Sequence, residues 1–278
     1  MAVRPPVLVG IYVPGDRPDR FAKALSAGAD QVILDLEDAV APGHKAEARE
    51  AVAAFLSRPV DGRVAVRPNG AGTPWHEDDL AMLAAAPYRP ALRLPKIEGP
   101  EDVDRVLRHF GGTEVEVTCL LESALGIEQA YVVAGHGGVS AIALGEADLR
   151  AELGITAEEG PDWLRVRAVV AARAAGLAPP AMAVYPRLDD PEGLAASCRR
   201  GSALGLHGRT AIHPWQIAVI REAFAPTEAE VADARLVLDA LAGAAGAVRL
   251  SDGRMVDEAM AAQARRILEV YARAVKAS

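Results

Sequence analysis

The chain has 278 residues, 51% of them hydrophobic, so it is long and apolar enough to bury a full core as one domain. Its formal net charge of −8 argues against nucleic-acid binding, which needs a basic patch. No apolar run approaches the ~18 residues of a membrane span, and residues 1–7 lack the apolar stretch of a signal peptide, so we expect a cytoplasmic protein.

Eight short apolar runs, each ending in charged or polar residues, follow one another along the chain. Their nearly continuous Val, Ile and Leu content is typical of parallel strands that are covered on both faces. Segments with helical spacing of apolar residues separate them, and most of these segments end near Gly or Pro. The pattern predicts a (β/α)8 TIM barrel, with an open doubly wound sheet as the alternative. The runs span residues 7–13, 31–36, 63–67, 91–95, 115–122, 140–145, 181–186 and 210–214.

The C-terminal part of the chain departs from this alternation. Two helical patterns, 227–246 and 256–275, are joined by the polar segment 248–255. The barrel needs no strand from this region. We therefore predict a barrel domain at 1–225 and a C-terminal helical arm or lid at 226–278.

Polar side chains at the ends of the predicted strands indicate where chemistry takes place. Because the carboxyl ends of parallel strands meet at one face of a barrel, we expect one acidic pocket that also holds a few cations. We interpret Cys119 and Cys198 as reduced structural residues, and the six histidines show no metal-binding pattern, so the chemistry rests on carboxylates. The strand-end residues are Asp16, Arg17, Asp35, Glu37, Asp38, Arg67, Lys96, Glu122, Glu146, Asp148, Tyr185 and His213.

Glu122 and Asp148 follow the fifth and sixth predicted strands, so they would present carboxylate oxygens to the same point. Such a pair suits Mg²⁺, which takes one or two protein carboxylates and leaves its other positions to water and substrate. Helix or turn capping explains either residue alone equally well. With Asp35, Glu37 and Asp38 facing them, however, the carboxylates would repel one another unless a cation were bound.

Two cations at strand ends have alternative roles. Arg67 is placed to bind a substrate carboxylate through its planar fork, or to pair with Asp35 or Glu37, and we expect it to do both. Lys96 opens a rival mechanism, a Schiff-base aldolase, which needs a neutral amine. Because nearby acids keep the pKa of a lysine high, they disfavour that mechanism.

Seven segments, running from the first strand to the C-terminal arm, resemble the citrate lyase beta-subunit family, the CitE-like proteins of the HpcH/HpaI aldolase superfamily. They are VPGDRPDRFAKALSAGADQVILDLEDAV (13–40), VRPNGAGTPW (66–75), LPKIE (94–98), LLESALGI (120–127), LGEADL (144–149), AIHPWQI (211–217) and GRMVDEAM (253–260). The resemblance implies a (β/α)8 barrel that is usually a homotrimer. It also implies Mg²⁺-dependent cleavage or formation of a carbon–carbon bond between an acyl-thioester enolate and a 2-oxo acid such as oxaloacetate, glyoxylate or pyruvate.

The resemblance also implies roles for individual residues. Glu122 and Asp148 correspond to the metal ligands, and Arg67 corresponds to the residue that binds the oxo-acid end of the substrate. Glu37 and Asp38 are similar to residues that surround the waters of the metal. We expect Asp35 and Lys96 to lie in the same surrounding layer.

Two further parts of the chain gain roles from the resemblance. Asp257 corresponds to an acid or base that reaches the site from a neighbouring subunit, although Ala259 stands where a proline often occurs. The thioester carrier is expected to be coenzyme A. Asp16, Arg17 and Arg20 are candidates for contacting its phosphates, and a capped helix start is an equal alternative for them.

Two other functions stay open at this point. The chain is alternatively a subunit of a larger citrate lyase complex that acts on a carrier-protein thioester. The second alternative is a non-catalytic trimeric scaffold that keeps the metal, although an acidic pocket argues against a scaffold. The sequence does not separate coenzyme A from a carrier protein, or one 2-oxo acid from another.

Overall fold

A computed structural model of the protein describes residues 6–243 and 246–277. The chain divides into two compact units, Met1–Ala223 and Phe224–Ser278. The first unit contains the predicted alternation of strands and helices. The second contains the C-terminal helices. Among the described residues, no helix is both long and apolar enough to cross a membrane.

The first unit is built on seven parallel strands. These are β1 (Val9–Pro14), β2 (Gln31–Asp35), β3 (Val64–Arg67), β4 (Ala91–Leu94), β5 (Val117–Leu121), β6 (Ala141–Leu144) and β7 (Arg209–Ala211). Their order in the sheet is β6-β5-β4-β3-β2-β1-β7. Every residue of β2 and β3 is buried, as expected for strands covered on both faces.

The seventh predicted strand, residues 181–186, is not formed. Met182 alone makes an isolated parallel bridge, to Arg209. Pro180 and Pro186 bracket the segment, and proline has no N–H to donate to a strand ladder. Among the described residues β6 and β7 therefore do not pair with each other, and the barrel has a seam between them.

Helices connect the strands of the first unit. The helical segment after β5 is divided at Gln129 into two short helices, and residues 146–153 form a further helix after β6. The helices are α1 (Phe21–Leu25), α2 (Lys45–Leu56), α3 (His76–Ala85), α4 (Pro100–Leu107), α5 (Ala124–Glu128), α6 (Ala130–Ala134), α7 (Glu146–Leu153), α8 (Asp162–Ala174), α9 (Pro191–Ala203) and α10 (Trp215–Phe224).

The second unit consists of α11 (Glu228–Leu241), a hairpin of β8 (Val248–Arg249) and β9 (Met255–Val256), and α12 (Glu258–Ala277). Thr227 and Glu230 form a capping box that begins α11. The hairpin was not predicted, because its strands are only two residues long. A small apolar core holds the unit together, and it contains Ala234, Val237, Leu250, Val256 and Ala264.

Strand register brings the carboxyl ends of neighbouring strands to the same level. Asp35, which ends β2, is the register partner of Arg67, which ends β3. Leu121 and Leu144 are partners at the ends of β5 and β6, so the residues that follow them also leave the sheet side by side. The order of the sheet thus sets which side chains meet.

Candidate active site

A cavity of about 640 Å³ lies at these strand ends within the first unit. The described part of its wall does not include the predicted residues Asp16, Arg17 or His213. Other predicted residues do meet there, and the cavity is lined by Asp35, Asp38, Arg67, Glu122, Glu146, Asp148 and Tyr185.

Arg67 is held by a ring of acids at the end of β3. Its Nε and Nη2 donate to the two carboxylate oxygens of Asp35 at 2.7 and 2.6 Å. Its Nη1 donates to Asp38 Oδ2 at 3.2 Å and lies 3.0 Å from Glu37 Oε2. The predicted ion pair is therefore present. A guanidinium has five N–H groups, and three of those of Arg67 donate to Asp35 and Asp38, so two make no hydrogen bond, one of them on the Nη1 that pairs with Glu37.

Lys45, on α2, binds the backbone of the loop after β2, a contact that the sequence analysis missed. Lys45 is 5% exposed, and its Nζ donates to the backbone oxygens of Leu36 and Glu37 at 2.7 and 2.6 Å. Asp35 accepts the backbone N–H groups of Glu37 and Ala39. These bonds hold the acidic loop rigidly beside Arg67.

Glu37 is an acid in an unfavourable environment. Its Oε2 is buried and accepts no hydrogen bond, although it forms an ion pair with Arg67. Burial raises the pKa of Glu37 to about 8, and the charge of Arg67 opposes this shift only in part. The site therefore holds more buried acid than its own cations neutralise.

This raised pKa predicts how stability depends on pH. Without metal, the folded state binds a proton at Glu37 that the unfolded state releases above its ordinary pKa, so stability falls as pH rises towards 8. From about pH 6 to about pH 9, the wild type should lose about 2–3 kcal/mol of unfolding free energy more than Glu37→Gln. Urea unfolding in EDTA measures this difference. Equal pH slopes would contradict it, and the exposed Glu47→Gln is the control.

Glu122 follows β5 and points into the cavity. It is 6% exposed, and burial raises its pKa. Its Oε2 accepts the backbone N–H of Lys96 at 2.9 Å. Lys96 has a left-handed backbone with φ 54°, a strained conformation for a non-glycine residue. The cap of α5 is Ser123, whose Oγ accepts the N–H of Gly126, so Glu122 does not serve as a helix cap.

Asp148 lies in the first turn of α7 and meets Glu122 across the Lys96 ammonium. Lys96 Nζ is 3.2 Å from Asp148 Oδ2 and 3.9 Å from Glu122 Oε2. Burial lowers the pKa of Lys96, but the bond to Asp148 and the charges of Glu122 and Glu37 outweigh it, so the pKa is raised. A charged amine does not attack a carbonyl carbon, which speaks against the Schiff-base mechanism.

Gly145, at the end of β6, leaves the space that the Glu122 side chain occupies. A Cβ at position 145 would lie 2.3 Å from Glu122 Cγ and 2.5 Å from Glu122 Oε1. The backbone of Gly145 is not left-handed, so the requirement for glycine here is one of space. The sequence shows this glycine, but not the side chain it accommodates.

Gly145→Ala should displace the Glu122 carboxylate without unfolding the barrel, because only a side chain has to move. We expect Mg²⁺ affinity to fall by at least ~10-fold, the usual cost of disturbing the surroundings of a metal ligand. Calorimetric titration with Mg²⁺ measures this loss, and circular dichroism checks the fold. Wild-type affinity in a folded Gly145→Ala protein would contradict the placement of Glu122.

A second set of buried polar contacts shapes the loop after β3. Asp79, which is fully buried, accepts the backbone and side-chain N–H groups of Asn69 at 3.0 and 2.6 Å. Its other oxygen accepts a bond from Arg49 at 3.0 Å. His76 Nδ1 lies 2.7 Å from the Asn69 carbonyl oxygen. These groups support the chain immediately after Arg67.

Tyr12 forms part of the cavity wall between two arginines. Arg93 Nε donates to the Tyr12 hydroxyl at 2.8 Å. The Arg67 guanidinium carbon lies 4.9 Å from the Tyr12 ring centroid, within cation–π range. Neither Tyr12 nor Arg93 is among the residues proposed from sequence, because each lies inside a strand and gives no signal in an apolar run.

Asp16 and Arg17 lie between β1 and α1, and neither is among the described residues that line the cavity. Arg17 occupies the cap position of a short 3₁₀ helix, Pro18–Arg20, without a capping side-chain bond, so the predicted cap at Asp16 is wrong. Arg17 instead pairs with Asp19 at 3.1 Å. Its side chain is 45% exposed and faces water.

Asp257 belongs to the second unit, at the start of α12. Its Oδ1 accepts the backbone N–H groups of Ala259 and Met260 at 3.0 and 3.2 Å. A proline at position 259 would lack the first of these donors. The departure from the family pattern at Ala259 therefore adds a bond that orients the Asp257 carboxylate.

The donor set at the strand ends fits Mg²⁺. Glu122 and Asp148 each place a carboxylate oxygen within 4.0 Å of the Lys96 ammonium, so both reach the same cation, and Glu37 Oε2 is buried without a hydrogen bond. Among the described residues, no group of three or more His, Cys, Asp or Glu side chains is arranged to hold a metal ion. Two carboxylates are nevertheless sufficient for Mg²⁺, which keeps water and substrate oxygens in its other positions.

Curated proteins of similar sequence share nearly the full length of this chain. A (3S)-malyl-CoA thioesterase of Cereibacter sphaeroides is 33% identical, over 93% of this chain and 92% of its own. A citrate lyase subunit beta-like protein of Deinococcus radiodurans is 35% identical, over 95% and 98%. An L-malyl-CoA/beta-methylmalyl-CoA lyase of Cereibacter sphaeroides is 32% identical, over 93% and 92%.

Comparison with solved structures also finds a relative over nearly the full chain, and it confirms the predicted fold. Protein CitE of Mycobacterium tuberculosis, solved in complex with magnesium, acetoacetate and coenzyme A, superposes with a TM-score of 0.84. It is 34% identical and covers 96% of this chain and 98% of its own. A family described as carbon–carbon bond lyases of the TIM-barrel fold matches residues 177–272. Residues 8–214 match the HpcH/HpaI aldolase/citrate lyase family, and the chain belongs to that family.

Proposed function

We propose that this protein is a Mg²⁺-dependent carbon–carbon lyase that cleaves or forms a 3-hydroxyacyl thioester from an acyl-thioester enolate and a 2-oxo acid. The observation that carries this proposal is that Glu122 and Asp148 both approach the Lys96 ammonium and line one cavity together with Arg67. Magnesium, acetoacetate and coenzyme A bound to protein CitE support the ligand classes. The lyase among the relatives supports the reaction class.

The residues of the site divide the chemistry between them. A Mg²⁺ ion held by Glu122 and Asp148 supplies Lewis-acid charge at that point. Arg67 binds the carboxylate at the oxo-acid end through the N–H groups that Asp35 and Asp38 leave free. Because Asp35 holds the guanidinium in a fixed orientation, the substrate is oriented before reaction.

In the cleavage direction the substrate hydroxyl loses its proton to solvent water, and its C–O bond becomes the carbonyl of the 2-oxo acid. The carbon–carbon bond breaks, and its electron pair passes to the thioester enolate. The enolate carbon then takes a proton, for which we propose Asp257. In the synthetic direction the same carboxylate removes that proton from the acyl thioester.

A panel of 3-hydroxyacyl-CoA esters, offered with Mg²⁺ and with EDTA, tests this function. A lyase releases a 2-oxo acid and leaves the product thioester intact, so an oxo-acid reagent responds and a thiol reagent does not. The thioesterase among the relatives makes thioester hydrolysis the second candidate, and hydrolysis would release thiol without oxo acid. If EDTA does not slow the formation of oxo acid, the metal-dependent mechanism is rejected.

We propose coenzyme A as the thioester carrier, with Asp16, Arg17 and Arg20 near its phosphates. Arg17 is 45% exposed, so it is accessible to a phosphate group. The alternative is a carrier-protein thioester within a citrate lyase complex. Turnover of free coenzyme A esters by the isolated chain would decide for the first, and turnover of carrier-protein esters alone would decide for the second.

We propose that the protein functions as a homotrimer. The first unit has a patch of exposed apolar side chains on α6 and α8, which a further copy of the chain would cover. Because α6 and α8 pack against each other, these exposed side chains lie on neighbouring helices, and exposed apolar surface of this kind is typical of a protein interface. The patch consists of Tyr131 and Val132, which are 52% and 50% exposed, and Trp163, Val166 and Val170, which are 60%, 40% and 55% exposed.

We propose that Asp257 acts in the site of a neighbouring subunit. Two variants that are each inactive, Asp257→Asn and Glu122→Gln, should then partly regain activity when their subunits exchange. Mixed oligomers would contain some sites with an intact Glu122 from one chain and an intact Asp257 from another. Activity is measured on the mixture, and light scattering together with mass spectrometry of differently labelled subunits verifies exchange. Proven exchange without recovery would contradict action between subunits.

We also propose a cytoplasmic location. Cys119 and Cys198 are both buried free thiols, as the sequence analysis predicts. Burial raises the pKa of both, that of Cys119 to about 12, so neither is reactive. Unpaired thiols are typical of proteins that reside in a reducing compartment.

A further inference from the structure

Arg209, at the start of β7, is a buried arginine that the proposed reaction does not use. It is 2% exposed and lines the same cavity as Glu122. Its Nη2 donates to Ser197 Oγ at 2.8 Å and lies 3.2 Å from Met182 Sδ. Its Nε and Nη1 have no hydrogen-bond partner. Two thirds of the guanidinium nitrogens are therefore unsatisfied inside the protein.

The acids around Arg209 are already committed to other arginines. Glu146 binds Arg165 with both oxygens, at 2.8 and 2.6 Å. Asp162 accepts bonds from Arg165 and Arg200, each at 2.9 Å. Within the part of the chain that the structure describes, no carboxylate lies within 4.0 Å of the Arg209 guanidinium. The positive charge of Arg209 thus has no carboxylate partner among the described residues.

Burial lowers the pKa of Arg209, yet a guanidinium stays protonated in proteins. A buried charge that has no carboxylate partner and only part of its hydrogen bonds is unfavourable, so native proteins pair such groups or use them to bind ions. The Arg209 guanidinium carbon also lies 5.6 Å from the ring centroid of Tyr185, within cation–π range. The charge is therefore held in place and faces a cavity.

We propose that Arg209 and Ser197 bind a carboxylate group inside this cavity. Ser197 Oγ accepts from Arg209 and so keeps its own O–H to donate to a ligand. Ser197 lines the cavity together with Arg209. Charge-assisted bonds from a guanidinium to a carboxylate are among the stronger hydrogen bonds in proteins. The seam at Met182, where the seventh strand is not formed, lies directly beside this site.

The carboxylate has two possible sources. It belongs to the substrate, as the second carboxylate of a dicarboxylic 2-oxo acid, or it belongs to a separate small carboxylate that binds alongside. The choice between these sources rests on the proposed function. The carboxylate site itself does not, because it is defined by Arg209 and its unpaired nitrogens.

Calorimetric titration of the full-length protein in Mg²⁺ tests the site with three probes, freshly prepared oxaloacetate, pyruvate and acetate. The variants are Arg209→Met, which removes the charge at similar length, and Ser197→Ala, which removes only a hydroxyl. Arg173→Met, an exposed arginine of α8, is the matched control. Circular dichroism verifies that each protein is folded.

If the substrate supplies the carboxylate, Arg209→Met should bind oxaloacetate about tenfold more weakly and pyruvate as tightly as the wild type. If a separate carboxylate binds, acetate should bind the wild type and Arg173→Met but not Arg209→Met. Ser197→Ala should weaken the same probe to a smaller extent, which keeps the test valid if Arg209→Met does not fold. Equal binding of all three probes by wild type, Arg209→Met and Ser197→Ala would overturn the site. That result would leave the lyase proposal standing, because the lyase proposal is tested by turnover and not by the Arg209 site.

Discussion

Glu122→Gln should reduce Mg²⁺-dependent turnover by at least ~100-fold while the protein stays folded. The substitution removes the negative charge of one of the two carboxylates that we propose as metal ligands. It keeps an oxygen that can accept the N–H of Lys96, so the local structure is preserved. Steady-state kinetics at several Mg²⁺ concentrations measures the loss, which should be only partly recovered at high Mg²⁺.

Asp148→Asn should have a similar effect, and the double variant should be little worse than either single variant. Two ligands of one ion act as a unit, so their effects are not additive. Glu47→Gln, a substitution of an exposed acid on α2, is the control for loss of charge alone. Full turnover by a folded Glu122→Gln protein would show that this carboxylate is not a metal ligand.

Arg67→Lys should lower kcat/KM by at least roughly 5- to 150-fold. This corresponds to a loss of about 1–3 kcal/mol of transition-state stabilisation. Lysine keeps the positive charge but cannot donate to both oxygens of Asp35 and still bind a substrate carboxylate. Asp35 is 1% exposed, so it would also lose one of its bonds in a buried place. Binding of the 2-oxo acid and turnover are measured together.

Mg²⁺ affinity should change little in Arg67→Lys, because no bond joins Arg67 to Glu122 or Asp148 in the described structure. This separates loss of a substrate contact from loss of the metal. Arg173→Lys on the surface of α8 serves as the matched control. Normal affinity for the 2-oxo acid in Arg67→Lys would remove Arg67 from the substrate site.

The site residues at the strand ends could be predicted from sequence, because the carboxyl ends of parallel strands lie at the same face of a barrel. Asp35 and Arg67 end neighbouring strands in register, and they form the bidentate pair that their positions indicate. Glu122 follows β5 in the same way. Periodicity and the abrupt change from apolar to charged residues contain this information, so the fold and the acidic cavity follow from the sequence.

The supporting contacts could not be predicted, because they join residues whose spacing in the sequence has no pattern. Lys45 binds the backbone of the acidic loop from a helix, and the N–H of Lys96 reaches Glu122 from the loop after β4. The prediction of the seventh strand was wrong for a different reason. Residues 181–186 have the composition of a strand, but Pro180 and Pro186 limit pairing to the bridge at Met182.

Manganese binding tests the central claim most directly, because Mn²⁺ occupies oxygen sites that suit Mg²⁺ and is visible by electron paramagnetic resonance. We predict a single Mn²⁺ per chain that Mg²⁺ displaces. This binding should be lost in both Glu122→Gln and Asp148→Asn and retained in Glu47→Gln. An unchanged number of bound Mn²⁺ ions in Glu122→Gln and Asp148→Asn would contradict the assignment of these two carboxylates as the metal site.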